Sequence, residues 1–131
     1  MAERAGKSCF RPRWLMLTLL VAVAVLGLTH IPGQRIPRVL QAHYLDKVEH
    51  VVAYGLIAGF FLLSLRRPVR PAVPLIGLAI LAALGALDEA TQPLVNRIAS
   101  VADYTCDLIG VVIPGLVLLV GRLGGFWAPP R

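Results

Sequence analysis

Asp88, Glu89, Asp103 and Asp107 place four of the chain's seven carboxylates in one stretch, DEATQPLVNRIASVADYTCD, with Gln92, Asn96, Arg97 and Ser100 between them. A second polar group, Asp46, Lys47, Glu49 and His50, lies earlier in the chain. Such residues can do three things. A histidine beside carboxylates can move protons as general base and acid. Carboxylates can hold a hard cation such as Mg²⁺. The same acids can hydrogen-bond a polar or cationic group of a bound molecule. Spacing favours joint action: His50 and Tyr54 follow Asp46 at i+4 and i+8, and Asp103 and Asp107 are i,i+4 neighbours, so each set shares a helix face.

The elements that must position these residues are apolar. Of 131 residues, 57% are hydrophobic and 15% charged, and the mean hydropathy is +0.75, outside the range of soluble domains. The apolar residues form four blocks, 14–28, 51–65, 73–87 and 108–120. The expected fold is an all-α membrane protein with four transmembrane helices. A basic tail at 1–13, a membrane domain at 14–123 and a C-terminal tail at 124–131 divide the chain. The first block is read as a span, since no small-x-small cleavage site follows it. A block such as 51–65 rises only about 22 Å, against a hydrocarbon core of about 30 Å. Spanning therefore draws the polar flanks inward, and the acids with them.

Net charge is +6, but its distribution marks topology. Nine basic residues fall on the side of the termini and the 66–70 loop; Arg35, Arg38, Lys47 and Arg97 fall on the other. The positive-inside rule then puts both termini in the cytoplasm and the polar site at the outer face of the inner (plasma) membrane. No nucleic-acid partner is expected; membrane lipids are. Cys9 and Cys106 fall on opposite faces, so no disulfide is expected, and no zinc-ligand spacing is present. Neither a cofactor nor a resident metal is assigned.

Local signals refine the elements. Residues 34–45 suit a short interfacial helix, with Ile36, Val39, Leu40, His43 and Tyr44 at helical spacing. Asp46 with Glu49, and Ser100 with Asp103, have capping-box spacing. Asp88 and Glu89 oppose the macrodipole at a helix C-terminus unless the helix continues to Gln92 or a cation compensates. Pro114 is expected to bend the fourth helix, where Gly110 permits close backbone approach.

The ordered fragments DKxxH (46–50), DExxQ (88–92) and RxxSxxDxxxDxxG (97–110) resemble the VanZ-like family of small membrane proteins, named after an accessory protein of glycopeptide-resistance clusters. The resemblance covers residues 46–115. It implies functional positions at Asp46, Lys47, His50, Asp88, Glu89, Gln92, Arg97, Ser100, Asp103 and Gly110. The family usually carries Asn where this chain has Asp107. The implied role is accessory, lowering susceptibility to teicoplanin-like antibiotics.

Each residue also has a plainer reading. Asp46, Glu49, Ser100 and Asp103 can simply cap helices, and Asp88 and Glu89 can be a solvated helix end. His50 can be a satisfied interfacial histidine, and Arg97 a headgroup-binding arginine rather than a counter-ion to the acids. Tyr54, Trp14 and Trp127 suit packing or the membrane interface, and Cys106 reads as an incidental small residue.

Three functional readings follow. The leading one is an envelope protein binding a polar group, such as a cell-wall or lipid-linked precursor, through Asp46, Lys47, His50, Asp88, Glu89, Gln92, Arg97, Ser100, Asp103 and Asp107. The second is an intramembrane enzyme, with His50, Glu89 and Asp103 as catalytic candidates. The third is a structural membrane subunit whose polar groups lock the bundle. In the first two, His50, Glu89 and Asp103 should converge on one pocket, with Arg97 placed to neutralise it.

Overall fold

The computed structural model describes residues 9–35, 43–66 and 69–123. Four helices account for most of them: α1 (Pro12–Thr29), α2 (His43–Ser64), α3 (Ala72–Thr91) and α4 (Val101–Leu123). All four are long and apolar enough to cross a membrane, which makes the chain a multi-pass, all-α membrane protein. At 1.5 Å per residue, the 22 residues of α2 rise about 33 Å. The added length comes from the polar flank HYLDKVEH, drawn into the helix as the short apolar block required.

Two connections set the directions of the helices. The start of α1 pairs with the end of α2, where Phe10 and Leu65 form an isolated antiparallel bridge. The Arg11 amide donates to the Ser64 carbonyl at 2.6 Å and the Arg66 amide to the Cys9 carbonyl at 2.8 Å. At the far end, Lys47 of α2 meets Asp103 of α4. The helices thus alternate in direction, and Cys9 and Cys106, both free, lie near opposite ends. Trp14 stacks on Phe60, ring centroids 5.9 Å apart, where α1 lies along α2. Trp127 lies outside the described residues.

The outside of the bundle is apolar and part of its inside is not. Leu19, Leu20, Val23, Leu75, Ile76, Ile80, Val117 and Val120 are exposed, as lipid-facing side chains should be. The apolar core is small: Tyr54, Ile57, Ala58, Leu81 and Val111. Beside it are buried Thr18, His50, Ser64, Asp88, Glu89, Gln92, Asp103 and Asp107. All of these but Thr18 and Ser64 lie at the end of the bundle where α2 and α4 begin and α3 finishes.

Glycine sets how near α4 lies to α2. A Cβ at Gly110 would sit 2.5 Å from the Val51 carbonyl and 2.9 Å from the Gly55 amide nitrogen, so backbone meets backbone there. Pro114 lies within α4 without interrupting it. Its missing N–H leaves the Gly110 carbonyl without its usual i+4 donor. That carbonyl faces Gly55, 3.7 Å from the place a Cβ would occupy.

Two local expectations change. Helix α2 begins at His43, so Asp46 is a first-turn residue rather than its cap; there its charge still suits the positive end of the helix dipole. Glu49 is exposed. Of the expected interfacial helix, 36–42 lie outside the described residues, and 33–35 form one 3₁₀ turn.

Candidate functional site

The innermost polar group joins three helices. His50 of α2 is 6% exposed, Glu89 of α3 5%, and Asp107 of α4 fully buried. His50 Nδ1 lies 2.8 Å from Asp107 Oδ1, and its Nε2 lies 3.9 Å from Glu89 Oε1. An imidazole thus stands between two carboxyls from different helices. Each arrives there for a local reason: His50 is one turn below Asp46, Asp107 one turn below Asp103, and Glu89 lies on the last full turn of α3.

Glu89 is tightly oriented. Its Oε1 accepts from Gln92 Nε2 at 2.6 Å and its Oε2 from the Ser100 amide at 2.8 Å. Pro93 enforces a 3₁₀ turn over Gln92–Val95, and Asn96 ends it in the left-handed region, with φ 57°. The Arg97 amide closes back on the Gln92 carbonyl at 3.2 Å, a helix-ending arrangement that asparagine tolerates. This sharp return brings the N-terminus of α4 over Glu89. Glu89 remains in the last turn of α3, which ends at Thr91. The positive end of α4, whose Ser100 amide donates to it, answers the expected conflict with the dipole of α3. Ser100 caps α4 by accepting from the Asp103 amide at 3.2 Å. The acid on the Ser100 amide is Glu89 of another helix, so the anticipated box with Asp103 is closed from outside.

Around this centre Asp103, Asp46 and Asp88 each have their own partner. Asp103 takes Lys47 at 2.6 Å. Asp46 lies 3.7 Å from Arg97. Asp88, 1% exposed, accepts from the Thr29 hydroxyl at 2.7 Å and lies 3.4 Å from His30 Nδ1. Arg97 also donates to the Thr29 carbonyl at 3.0 Å, tying down the end of α1. Arg97 therefore does not serve the inner carboxyls as expected; the turn at Asn96 hands it to Asp46 and α1.

Of the three residues expected to converge, His50 is shared by two groupings. One of its ring nitrogens lies within 4.8 Å of ligand atoms of Asp46 and Asp103 in one, and of Glu89 and Asp107 in the other. Glu89 and Asp103 thus each neighbour His50 without falling in one cluster. Asp88 and Arg97 instead join a separate contact with α1. Asp107, where the VanZ-like pattern has Asn, is the direct partner of His50. Thr29, His30 and Thr91 were not singled out in the sequence. His30 Nε2 lies 3.0 Å from Thr91 Oγ1, but a Thr-His pair ending an apolar helix reads as an ordinary terminus.

Three buried polar atoms have no hydrogen-bond partner among the described residues: Tyr54 Oη, Asp88 Oδ2 and Asp107 Oδ2. A Cβ at Gly85 would be 3.2 Å from Asp107 Oδ2 and 3.3 Å from Tyr54 Cε1, so two of these side chains meet at that glycine. Leaving such an atom unsatisfied costs about 1–3 kcal/mol, so stability alone does not account for all three.

A cleft of about 200 Å³ opens between the end of α3 and the start of α4, lined by Ala86, Glu89, Ala99, Ser100, Val101 and Tyr104. Glu89 therefore has the cleft on one side and His50 on the other. Such an arrangement can hold the polar head of a ligand at its carboxylate, or pass a proton between a bound molecule and the imidazole. Comparison with family models, curated proteins and solved structures finds no match to this chain. The VanZ-like resemblance thus rests on the quoted residues alone.

Proposed function

We propose that this is an envelope protein of the VanZ-like kind that binds the polar head of an amphiphilic envelope component, such as a lipid-linked precursor, at the cleft beside Glu89. It lies in the plasma (inner) membrane with both termini in the cytoplasm and the site at the outer face; the nine-to-four division of basic residues supports that orientation. One observation carries the reading: Glu89 is almost wholly buried yet lines an otherwise largely apolar cleft. Ligand sites combine apolar walls with a few placed polar groups in this way. The acidic wall favours an amine or hydroxyl on the ligand and disfavours a bare phosphate. Through such binding the protein would influence susceptibility to glycopeptide antibiotics.

Native mass spectrometry of the detergent-purified protein with a purified lipid-linked cell-wall precursor tests this. The wild type is expected to carry the lipid, and E89Q to bind it at least about tenfold more weakly, a loss of roughly 1.4 kcal/mol. In parallel, a deletion strain should change its susceptibility on a panel of envelope-active antibiotics that includes glycopeptides. Equal lipid binding by a folded E89Q, with an unchanged deletion strain, defeats the reading.

The 2.8 Å contact between His50 and Asp107, with Nε2 turned to Glu89, supports a second reading. In it the chain is an intramembrane acid–base enzyme, with Asp107 orienting His50 and Glu89 exchanging the proton with a substrate. Turnover of the same purified lipid, abolished in H50Q, distinguishes it from binding alone.

A further inference from the structure

We propose that His50, Glu89 and Asp107 form a site for one divalent first-row transition-metal ion, of the Zn²⁺ or Mn²⁺ kind. One ligand atom of each side chain lies within 4.8 Å of the other two. Ion–ligand distances of about 2.0–2.2 Å place the ligands of one ion roughly 3–4 Å apart. His50 Nε2 and Glu89 Oε1, 3.9 Å apart, already meet that condition. Asp107 contacts the other ring nitrogen, Nδ1, at 2.8 Å, so its carboxyl must turn from Nδ1 toward the ion.

Two independent features point to a cation. Asp107 is fully buried, and its Oδ2 has no donor among the described residues. A carboxylate oxygen only accepts, so this atom calls for a proton, a water or an ion. Charge gives the second argument. Asp46 and Asp103 face Arg97 and Lys47, and Asp88 faces Thr29 and His30. Glu89, held by the uncharged Gln92 side chain and Ser100 amide, and Asp107 have only His50 between them as a group able to carry positive charge. If both carboxyls are ionised and the imidazole neutral, the group carries two negative charges, which one divalent ion would cancel. The other grouping of possible ligands, Asp46, His50 and Asp103, lacks that deficit because both acids already have cations.

The donor set chooses the metal. Imidazole nitrogen suits Zn²⁺ and its neighbours, and carboxylates suit Mn²⁺, so a mixed set falls between. Mg²⁺ and Ca²⁺ prefer oxygen ligands throughout. The surroundings also fit: Gln92 and the Ser100 amide hold Glu89 in place, as metal-binding carboxylates are usually held. Of the three ligands, Glu89 also lines the cleft between α3 and α4. The ion does not depend on what the cleft binds, so this site and the ligand reading fail separately.

The test uses the full-length chain with a tag lacking histidine, stripped with chelator in detergent and titrated with Zn²⁺ by calorimetry and with Co²⁺ by absorption. One equivalent is expected to bind, with Co²⁺ bands of nitrogen and oxygen ligation. D107N, E89Q and H50N should each weaken Zn²⁺ binding at least about tenfold, and E49Q, at an exposed position, should not. Absence of stoichiometric binding by the wild type overturns the proposal, and so does unchanged binding in the folded variants. Should none of the three fold, pulsed electron paramagnetic resonance of the Mn²⁺-loaded wild type reads histidine ligation directly. Absence of an imidazole nitrogen signal overturns it as well.

Discussion

At the scale of single residues, His50 is answerable to two carboxyls at once, Asp107 at 2.8 Å and Glu89 at 3.9 Å. Removing it strands Asp107, while Glu89 keeps Gln92 and the Ser100 amide. H50A should lower stability by about 3–5 kcal/mol, the usual cost of leaving a buried ionic partner unpaired. A double variant, H50L with D107L, should recover most of that loss by replacing the pair with packed apolar groups. Thermal unfolding in one detergent compares the three proteins. A single variant as stable as the wild type would mean that the pair contributes nothing to the fold. These residues were legible in the sequence because the apolar blocks are too short to span without them, so each acid had to move inward. Thr29 and His30 were not, because nothing near them announces a contact 59 residues away with Asp88. Arg97 was expected as counter-ion to the acids, and it does face one, Asp46. Which acid it faces depends on the left-handed turn at Asn96, which spacing does not reveal.

At the scale of elements, the junction of α2 and α4 decides whether the site exists. Lys47 reaches Asp103 and His50 reaches Asp107 only because Gly110 lets the two backbones meet. G110A would drive a methyl against the Val51 carbonyl and the Gly55 nitrogen, contacts that no change of rotamer relieves. It should destabilise by about 1–3 kcal/mol, as overpacked cores do. G27A, with nothing within 4 Å of the added methyl, is the matched control and should be close to neutral. Unfolding midpoints check the pair, and equal midpoints would deny Gly110 this role. The cap of α4 was readable from Ser100 and Asp103, but half of its box comes from α3. A short-range pattern can show that a cap exists without showing who completes it. Helix α2 starts three residues before Asp46, taking in His43 and Tyr44, whose helical spacing reads as part of a separate interfacial helix.

At the scale of the whole molecule, four spans leave the two ends of the bundle's chain on one side. The proposal that this side is the cytoplasm rests on the charge distribution, and labelling tests it directly. In a chain carrying C9S and C106S, a membrane-impermeant maleimide applied from outside should label N96C and leave R70C unlabelled until the cells are permeabilised. The reverse pattern discards the orientation. The four spans were readable from hydropathy because lipid imposes that pattern on every helix alike; the pairing of helices was not, because lipid-facing surfaces carry no address. That pairing has a meaning for how the protein is made. Lys47 and His50 find their partners 56 and 57 residues downstream, in α4, and Glu89 is gripped by the amide that opens α4. A nascent chain that has delivered three helices therefore carries a lysine, a histidine and a glutamate still open. Helix α4, made after them, closes all three together, so a chain cut short before α4 would leave these groups without those partners.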